Sequence, residues 1–380
     1  MKILLVGEYS RLHNSLQEGL AALGHQVILI STGDYFKKYP SDIIIQRSFD
    51  TGLARKIKIV IYILFKFDIT SWSMTRQFFK NASSLKGFDV VQLINESPFG
   101  AAVKDEIKMI SFLKQNNKKL FLLSCGTDYL SVQHQLSNVN PYSILSNYKD
   151  GKVSKIEFKS VLKYTTTPFK ELHQYLFKNI DGVIASDYDY HMPLAGNSKY
   201  LGLIPNPINT SKLSVFELDT KGPIVIFMGI NRTNYHSKGI SYFEEALVAI
   251  QQKFPELVHI EVVENLPYDQ YIKKYNDAHI ILDQVFAYDQ GYNALEAMAK
   301  AKVVFTGAES GFMEHYKLDS PVAINALPKV DSLVLALEDL IKNPEKIKEI
   351  GRAAQNFVKE HHNYKEVAQL YLDTWKLSRL

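Results

Sequence analysis

The chain has 380 residues, of which 46% are hydrophobic and 22% charged, with 19 glycines and 13 prolines. This composition excludes a disordered or fibrous protein and is typical of a soluble globular one. A single core stops growing at roughly 250 to 300 residues, so the length predicts two domains with a cleft between them. The net charge of +4 is uneven, because residues 1–200 carry 25 basic and 17 acidic side chains, and residues 201–380 carry 19 and 23.

The first half alternates short apolar runs with segments of helical periodicity, a pattern typical of parallel strands joined by helices. A first strand at 3–6 precedes a helix striped by leucines, which Gly24 ends. Further predicted strands lie at 27–30, 43–46, 90–94, 120–123 and 183–185. We expect one doubly wound sheet from these strands, with residues 129–167 forming a long excursion near the cleft.

The basic excess is concentrated in residues 51–120, where 12 basic side chains accompany 5 acidic ones. Within this region, residues 55–66 interleave cations with large apolar side chains. We favour a core helix or strand with lysines on its solvated edge, since seven consecutive apolar residues suit a core. The alternative is contact with an anionic membrane surface through residues 55–80. No nucleic-acid-binding motif accompanies the charge, so we expect no nucleic-acid partner.

Two prolines, Pro205 and Pro207, interrupt regular structure and predict a stiff junction at 204–209. Beyond it, five apolar runs predict a second doubly wound sheet, with strands at 224–228, 259–263, 280–283, 303–306 and 322–324. The chain then closes with three helices and no intervening strand, at 331–342, 344–361 and 364–377.

Several functional classes find no support in the sequence. The one cysteine, Cys125, cannot form an internal disulfide, and the eleven histidines form no metal-binding motif, so we expect no structural metal. The apolar run at 3–6 is too short for a signal peptide, and no run approaches the ~18 apolar residues of a membrane-spanning helix. We therefore expect a cytoplasmic protein.

The turn after the first strand, residues 7–14, lacks a GxGxxG motif, which argues against a dinucleotide-binding Rossmann site. It does place a helix N-terminus, with its backbone donors and positive dipole end, at the carboxyl edge of a parallel sheet. Gly7 and Asn14 are therefore candidate ligand contacts. A helix cap explains Asn14 equally well.

Two cations follow the first strand of the second half, Arg232 and Lys238. On a loop at the carboxyl end of a strand they can hold a diphosphate, Arg through its planar fork and Lys as a point charge. Neutralising the charge that builds on a departing diphosphate would be electrostatic catalysis without a metal. The alternative is that both are solvated surface cations.

Farther along, the predicted strand at 280–283 ends with an acidic residue. The next helix begins at a glycine, Gly291, and contains Glu296. Here the sequence resembles nucleotide-sugar glycosyltransferases of the GT-B fold, in particular retaining glycosyltransferase family 4. The motifs that carry the resemblance are Gly229 with Arg232, Lys238 with Gly239, and the segments 291–299, 311–314 and 371–375.

The resemblance implies an α/β protein of GT-B architecture, with two Rossmann-like doubly wound domains facing a central cleft. Residues 1–204 would form the acceptor-side domain and residues 205–362 the nucleotide-sugar-binding domain. Residues 363–380 would form a C-terminal helix that crosses back onto the first domain.

The resemblance also implies roles for individual residues. Arg232 and Lys238 would hold the donor diphosphate, and Glu296 would accept hydrogen bonds from the ribose hydroxyls. The helix that begins at Gly291 would point backbone N–H groups at the phosphates. Together with Gly7 and Asn14 of the turn after the first strand, the candidate donor contacts are Arg232, Lys238, Asp289, Gly291, Tyr292, Asn293 and Glu296.

Two of the departures from the family pattern concern positions that lie near the donor sugar in the family. Tyr288, with Asp289 beside it, stands where the family usually has a glutamate that contacts the donor sugar. Cys125 replaces a histidine that lies near the transferred sugar in the family, although Gly126 and Asp128 match. Asp128 is therefore a candidate for orienting sugar or acceptor, with a helix cap as its alternative interpretation. We assign no chemistry to Cys125.

The leading hypothesis is a metal-independent transferase that moves a sugar from a UDP- or GDP-type nucleotide sugar, its co-substrate, to a glycan or lipid-linked acceptor. The family implies retention of configuration and a role in surface polysaccharide or glycoconjugate synthesis, in the cytoplasm or on the inner face of the membrane. The alternative is a GT-B protein that has lost catalysis and acts as a binding or chaperone partner of another glycosyltransferase. An epimerase of the same fold is less favoured, since it gives no reason for the basic apolar stretch.

Overall fold

The computed structural model describes residues 1–33, 39–213, 219–264, 266 and 268–377. The strands are β1 (Lys2–Val6), β2 (Gln26–Ser31), β3 (Ile43–Ile44), β4 (Val90–Leu93), β5 (Lys119–Ser124), β6 (Gly182–Ala185), β7 (Tyr200–Leu203), β8 (Ile224–Ile230), β9 (Val258–Glu264), β10 (Ile280–Leu282), β11 (Val303–Thr306) and β12 (Ile324–Asn325).

The α-helices are α1 (Leu12–Ala22), α2 (Gly52–Phe65), α3 (Ile69–Lys80), α4 (Val103–Asn116), α5 (Tyr129–Leu136), α6 (Ser146–Lys149), α7 (Lys159–Leu162), α8 (Thr167–Asn179), α9 (Tyr188–Leu194), α10 (Tyr235–Lys238), α11 (Ile240–Lys253), α12 (Tyr268–Asp277), α13 (Tyr292–Ala299), α14 (Ser310–Tyr316), α15 (Val330–Lys342), α16 (Pro344–His361) and α17 (Tyr364–Leu377). Short 3₁₀ helices lie at Ala82–Leu85, Lys163–Thr165, Thr210–Lys212 and Arg232–Asn234.

The strands form two sheets in which every paired strand is parallel. The seven-stranded sheet has the order β3-β2-β1-β4-β5-β6-β7, and the five-stranded sheet has the order β12-β11-β10-β8-β9. The order reverses between β1 and β4 in the first sheet and between β8 and β10 in the second. Crevices at such reversals, outside the carboxyl ends of the strands, are where open α/β sheets bind ligands. The predicted pair of doubly wound domains is confirmed.

Strand β1 shows why the apolar runs form buried strands. Ile3 and Leu5 face a core shared with α1 and α17, and Leu4 and Val6 face a core on the opposite side of the sheet. All four side chains are fully buried. Because helices cover both faces, the strand is apolar along its length instead of alternating.

The C-terminal helix α17 crosses back onto the first domain, as predicted. The indole Nε1 of Trp375 donates to Oε1 of Gln92 on β4 at 3.0 Å, and the carbonyl of Trp375 accepts from Lys119 Nζ at 2.7 Å. A Cβ at Gly19 of α1 would lie 2.2 Å from the carbonyl oxygen of Tyr364. Glycine at this position lets the two helix backbones approach closely.

Helix α2 contradicts the core interpretation of residues 55–66. The helix has no buried residue, and Leu53, Leu64 and Phe65 are 73%, 67% and 73% exposed. The domain is covered instead by α3, whose Met74 and Phe78 are fully buried. Across the described part of the chain, no helix is long and apolar enough to cross a membrane.

One further feature differs from expectation, and one agrees with it. Strand β7 was not predicted, because its four residues are only partly buried and Gly202 interrupts the apolar run. The excursion at 129–167 contains the short helices α5 to α7, and its Asn147 donates to the carbonyl of His236 in the second domain at 3.1 Å. The excursion therefore borders the cleft, as expected.

Candidate active site between the two domains

The loops at the carboxyl ends of the two sheets meet across the cleft. The hydroxyls of Ser15 on α1 and Tyr292 on α13 lie 2.7 Å apart. The backbone N–H of Tyr188, after β6, donates to the carboxylate of Asp289, after β10, at 2.8 Å. Residues far apart in the sequence thus form one continuous interdomain surface.

The turn after β1 is built around Gly7, whose φ of +85° favours glycine. A Cβ there would lie 2.2 Å from Cγ2 of Ile94, which follows β4. Asn14 is buried behind this turn, where its Nδ2 donates to the carbonyl of Pro40 at 2.8 Å. Its Oδ1 has no hydrogen-bond partner among the described residues. The ligand roles of Gly7 and Asn14 stay predictions.

Arg11, at the start of α1, is a further candidate site residue that the sequence motifs did not identify. Its φ of 74° is left-handed, and its Nη2 lies 3.2 Å from Oε1 of Glu18. Although burial opposes the shift, the carboxylates of Glu18 and, across the cleft, of Glu296 raise the pKa of Arg11. The signal that could have found it is a cation in the turn that follows the first strand.

Lys238 lies at the reversal point of the second sheet. Its Nζ is 2.7 Å from Oδ1 of Asp283, the residue that follows β10. Its carbonyl accepts from the N–H of Val285 at 2.8 Å. Gly239 ends α10 at φ +69°, and a Cβ there would meet Val285 at 2.9 Å. These contacts fix the lysine where β8 and β10 present their carboxyl ends.

Arg232 lies on the same loop but is exposed. Its Nε donates to both carboxylate oxygens of Glu264 at 3.0 and 2.9 Å, and its Nη2 lies 2.7 Å from Oε2. The guanidinium also stands over the ring of Tyr235, 5.0 Å from the centroid. Holding a diphosphate would require Arg232 to exchange Glu264 for the phosphate oxygens.

Helix α13 presents its N-terminus to the cleft. Gly291 precedes the first turn, and none of the described side chains caps the helix. Uncapped first-turn N–H groups, here including those of Tyr292 and Asn293, favour an anion. Glu296 lies about one turn farther along and is half-buried. The structure therefore brings Gly291, Tyr292, Asn293 and Glu296 onto one short helix.

Asp289 and Asp189 form a reciprocal contact between the domains. Oδ2 of Asp189, on α9, accepts from the backbone N–H groups of Tyr288 and Asp289, each at 3.1 Å. Asp289 in turn accepts from the N–H of Tyr188. Burial, and then the nearby Asp289 charge, raise the pKa of Asp189. The sequence contained no motif that would have identified Asp189.

Tyr288, which stands in place of the family glutamate, packs against the excursion from the first domain. Its hydroxyl donates to the carbonyl of Tyr142 at 3.0 Å, and the two rings stack with centroids 4.8 Å apart. The hydroxyl of Tyr142 donates to Glu309. Burial raises the pKa of Tyr288 to about 12. An acidic side chain, Glu309, is thus present beside the position that lacks the glutamate.

Asp128 caps helix α5, which was its alternative interpretation. Its Oδ1 accepts from the N–H of Ser131 at 2.7 Å, and Ser131 Oγ accepts from the N–H of Asp128 in a capping box. Its other carboxylate oxygen accepts from Ser124. The carboxylate is therefore occupied within the first domain, and the role in orienting a substrate stays a prediction.

A second buried acid lies beside this helix. Oε1 of Glu96 is 2.6 Å from Nδ1 of His173, and Oε2 accepts from the N–H of Tyr129 at 3.1 Å. Burial raises the pKa of Glu96 to about 7, although the hydrogen bond from His173 opposes the shift. This pair was not predicted, because its members lie in separate segments without a motif.

Comparison with known proteins bears on the second domain and on the fold. Residues 232–373 match a family model described as glycosyl transferase-like. No curated protein matches the sequence. The predicted clamp residues Arg232, Lys238 and Glu296 all fall inside the matched segment.

Solved structures of similar fold include sucrose-phosphate synthase from Thermosynechococcus elongatus, at 15% identity over 99% of this chain and 98% of that chain, with a TM-score of 0.62. HepE of Anabaena in complex with UDP-glucose is similar over 100% of both chains, at 13% identity and a TM-score of 0.60. A putative UDP-N-acetylglucosamine 2-epimerase from Listeria monocytogenes shares 12% identity over 98% of this chain and 94% of that chain, with a TM-score of 0.53. The chain thus has the GT-B fold, and residues 232–373 are similar to a glycosyl transferase-like family, which supports the prediction of a glycosyltransferase.

Proposed function

We propose that this protein transfers a sugar from a UDP-sugar to a hydroxyl group of a glycan or lipid-linked acceptor. The observation that carries the proposal is the position of Lys238. It lies within the glycosyl transferase-like segment and at the sheet reversal, where α/β folds bind ligands. The choice of uridine rests on the similar fold of HepE, which was solved with UDP-glucose.

In the proposed reaction, the second domain stabilises the leaving diphosphate. Lys238, held by Asp283, contributes a fixed positive charge, and Arg232 contributes a second after exchanging Glu264 for phosphate oxygens. The N-terminus of α13 adds backbone donors. Glu296 accepts from the ribose hydroxyls. This set supplies positive charge from the chain itself, so we propose a metal-independent step.

The sugar then moves with retention of configuration. The acceptor hydroxyl attacks the anomeric carbon from the side of the leaving group, and its proton passes to the departing phosphate oxygen. The bond between the anomeric carbon and that oxygen breaks as the new glycosidic bond forms. No strong protein base is required in this scheme, which fits the engagement of Asp128 as a helix cap.

In this proposal, the first domain binds the acceptor. Its turn after β1 brings Arg11 into electrostatic interaction with Glu296. We propose surface polysaccharide or glycoconjugate synthesis as the process and the inner face of a membrane as the location. The basic excess of this half and its exposed apolar helix α2 support that assignment.

The alternative, a catalytically inactive partner of another glycosyltransferase, has one observation in its favour. The position that usually contacts the donor sugar is occupied by Tyr288, whose hydroxyl is bonded to the carbonyl of Tyr142. The retention of Arg232, Lys238 and Glu296 argues against it, because a scaffold has little reason to keep residues suited to hold a diphosphate and a ribose.

The test is release of nucleoside diphosphate from a panel of UDP- and GDP-sugars, with glycan acceptors added. We expect release from at least one UDP-sugar. Glu296→Gln should weaken donor binding about tenfold or more, since hydrogen bonds to a charged group contribute about 1.5 to 3 kcal/mol. Glu349→Gln, on the exposed face of α16, is the matched control. Tight UDP binding without release would support the inactive partner, and absence of any nucleotide binding would contradict the proposed transferase.

A further inference from the structure

Helix α2 is an unpartnered apolar helix on the surface of the first domain. Its residues Leu53, Ile57, Val60 and Leu64 lie along one line of the helix, at spacings of four, three and four residues. They are 73%, 48%, 53% and 67% exposed. On the remaining outward surface, Ile63 is 61% exposed. An apolar surface of this kind marks an interaction site.

Aromatic side chains extend the apolar face beyond the end of α2. Phe65 and Phe67 are 73% and 43% exposed, and Trp72 of α3 is 46% exposed. The rings of Phe67 and Trp72 are 6.4 Å apart, and the guanidinium of Arg76 lies 5.7 Å from the Trp72 centroid. Tryptophan beside cations is typical of the interface between water and lipid, where an apolar ring and a polar edge are both satisfied.

The charges around this surface are almost all positive. Residues 51–80 contain six basic side chains and a single acidic one, Asp68. Asp68 is used internally as the cap of α3, where it accepts from the N–H of Ser71. Arg55 and Lys56 have exposed side chains and no ion-pair partner in the described part of the chain. The surface therefore offers free positive charge together with apolar area.

The start of α2 is fixed to the domain. Asp50 accepts from Arg47 Nε at 3.1 Å and from Lys58 Nζ at 2.7 Å. Nη1 of Arg47 donates to the carbonyls of Phe99 and Gly100 at 3.2 and 3.0 Å. The apolar run that follows thus projects from an anchored first turn.

We propose that α2, continued by Phe67 and Trp72, docks flat on an anionic lipid bilayer. The helix has 14 residues, which span about 21 Å at 1.5 Å per residue, so it suits the membrane interface and not a crossing. The partner is assigned by charge complementarity. A second copy of the chain would bring Arg55, Lys56 and Lys66 against their equivalents, whereas anionic headgroups neutralise them.

Docking would also orient the cleft. All strands of the first sheet are parallel, so the carboxyl end of β3, from which the chain enters α2, lies at the same edge as the turn after β1. The membrane surface and the opening of the cleft would then lie at the same edge of the domain. This inference concerns binding alone and does not depend on the proposed transfer reaction.

The experiment is flotation of the full chain with phosphatidylcholine vesicles, with and without phosphatidylglycerol. We expect co-flotation only with the anionic vesicles and its loss at high salt. The double variant Arg55→Gln/Lys56→Gln should weaken partitioning roughly 30-fold, at about 1 kcal/mol per cation. Ile63→Glu should abolish it. The matched controls, Lys348→Gln/Arg352→Gln and Leu335→Glu, change exposed residues of the second domain and should float like the wild type.

Tryptophan fluorescence separates lipid docking from self-association. The chain has two tryptophans, and Trp375 is only 1% exposed, so a blue shift on adding anionic vesicles reports Trp72. We expect lipids brominated on the acyl chains to quench Trp72, and Trp72→Phe to remove the change. Absence of flotation at low salt overturns the proposal. So does a wild type that is dimeric without lipid and becomes monomeric in Ile63→Glu, which would assign the surface to a second copy.

Discussion

The hydroxyl oxygens of Ser15 and Tyr292 lie 2.7 Å apart, and they join the helix that follows the first strand of one domain to helix α13 of the other. Ser15 is fully buried and Tyr292 is 8% exposed. The bond therefore holds the N-terminus of α13 against the turn after β1. Movement of one domain relative to the other at the cleft would break this hydrogen bond.

Tyr292→Phe should lower the free energy of unfolding by roughly 1 to 2 kcal/mol, because the buried Ser15 hydroxyl loses its partner. Urea denaturation followed by circular dichroism measures the change. Tyr371→Phe is the control, since Tyr371 is also buried and its hydroxyl has no hydrogen-bond partner among the described residues. Equal effects of the two substitutions would show that the interdomain bond contributes nothing.

Lys238→Ala should reduce kcat/KM for the UDP-sugar about 100-fold or more, because a preorganised charge at the leaving diphosphate is lost. The control is Lys253→Ala, which also removes a lysine from an ion pair in the second domain, here with Glu338 on the outer surface. Thermal unfolding of both variants checks that the fold is retained. Unchanged kinetics in a folded Lys238→Ala would remove this lysine from the mechanism.

The acidic contact at Asp189 predicts a pH dependence of stability. Burial and the Asp289 charge raise the pKa of Asp189 above its value in the unfolded chain, which is about 4. At any pH between these two pKa values, the folded state binds more protons than the unfolded state. The free energy of unfolding should fall as pH rises through this window. Asp289, which is buried, and the half-buried Asp187 also have raised pKa values and act in the same direction.

Asp189→Asn removes the titrating group but keeps an oxygen for the N–H groups of Tyr288 and Asp289. As the pH rises from 5 to 8, the free energy of unfolding of the variant should increase by at least about 1 kcal/mol relative to that of the wild type, since one pKa unit corresponds to about 1.4 kcal/mol. Denaturation midpoints across this range measure it. A constant difference between wild type and variant would contradict the raised pKa.

Trp375 anchors the C-terminal helix. Trp375→Ala should lower the free energy of unfolding by about 3 to 5 kcal/mol, because a fully buried indole and its hydrogen bond to Gln92 are both lost. Leu377→Ala, at a position that is 77% exposed, is the control. Limited proteolysis should release the C-terminal segment of Trp375→Ala first. A variant with wild-type stability and protection would show that α17 is not held by this residue.

The strands could be predicted because parallel strands covered on both faces appear as unbroken apolar runs. The same signal misled at α2, because an apolar run does not reveal whether another element covers it. Helix α3, which does cover the sheet, buries Thr70 and Ser71 along with its apolar residues, so its pattern is weaker. Strand β7 was missed because it is half-exposed along its length.

Candidate residues of the site could be predicted from the sequence only where they follow a strand or belong to a motif, as Lys238 and Glu296 do. Its interdomain contacts were not, since Ser15 and Tyr292 are 277 positions apart and Tyr142 and Tyr288 are 146 apart. Such pairs are set by the packing of one domain on the other, which local sequence patterns do not encode.

The most direct test of the central claim is a crystal structure of the protein with UDP bound. We predict phosphate oxygens within hydrogen-bond distance of Lys238 Nζ and of the N–H groups of Tyr292 and Asn293, with the ribose hydroxyls on the Glu296 carboxylate. UDP bound away from α13, with Lys238 still paired only to Asp283, would contradict the assignment of this cleft as the donor site of a glycosyltransferase.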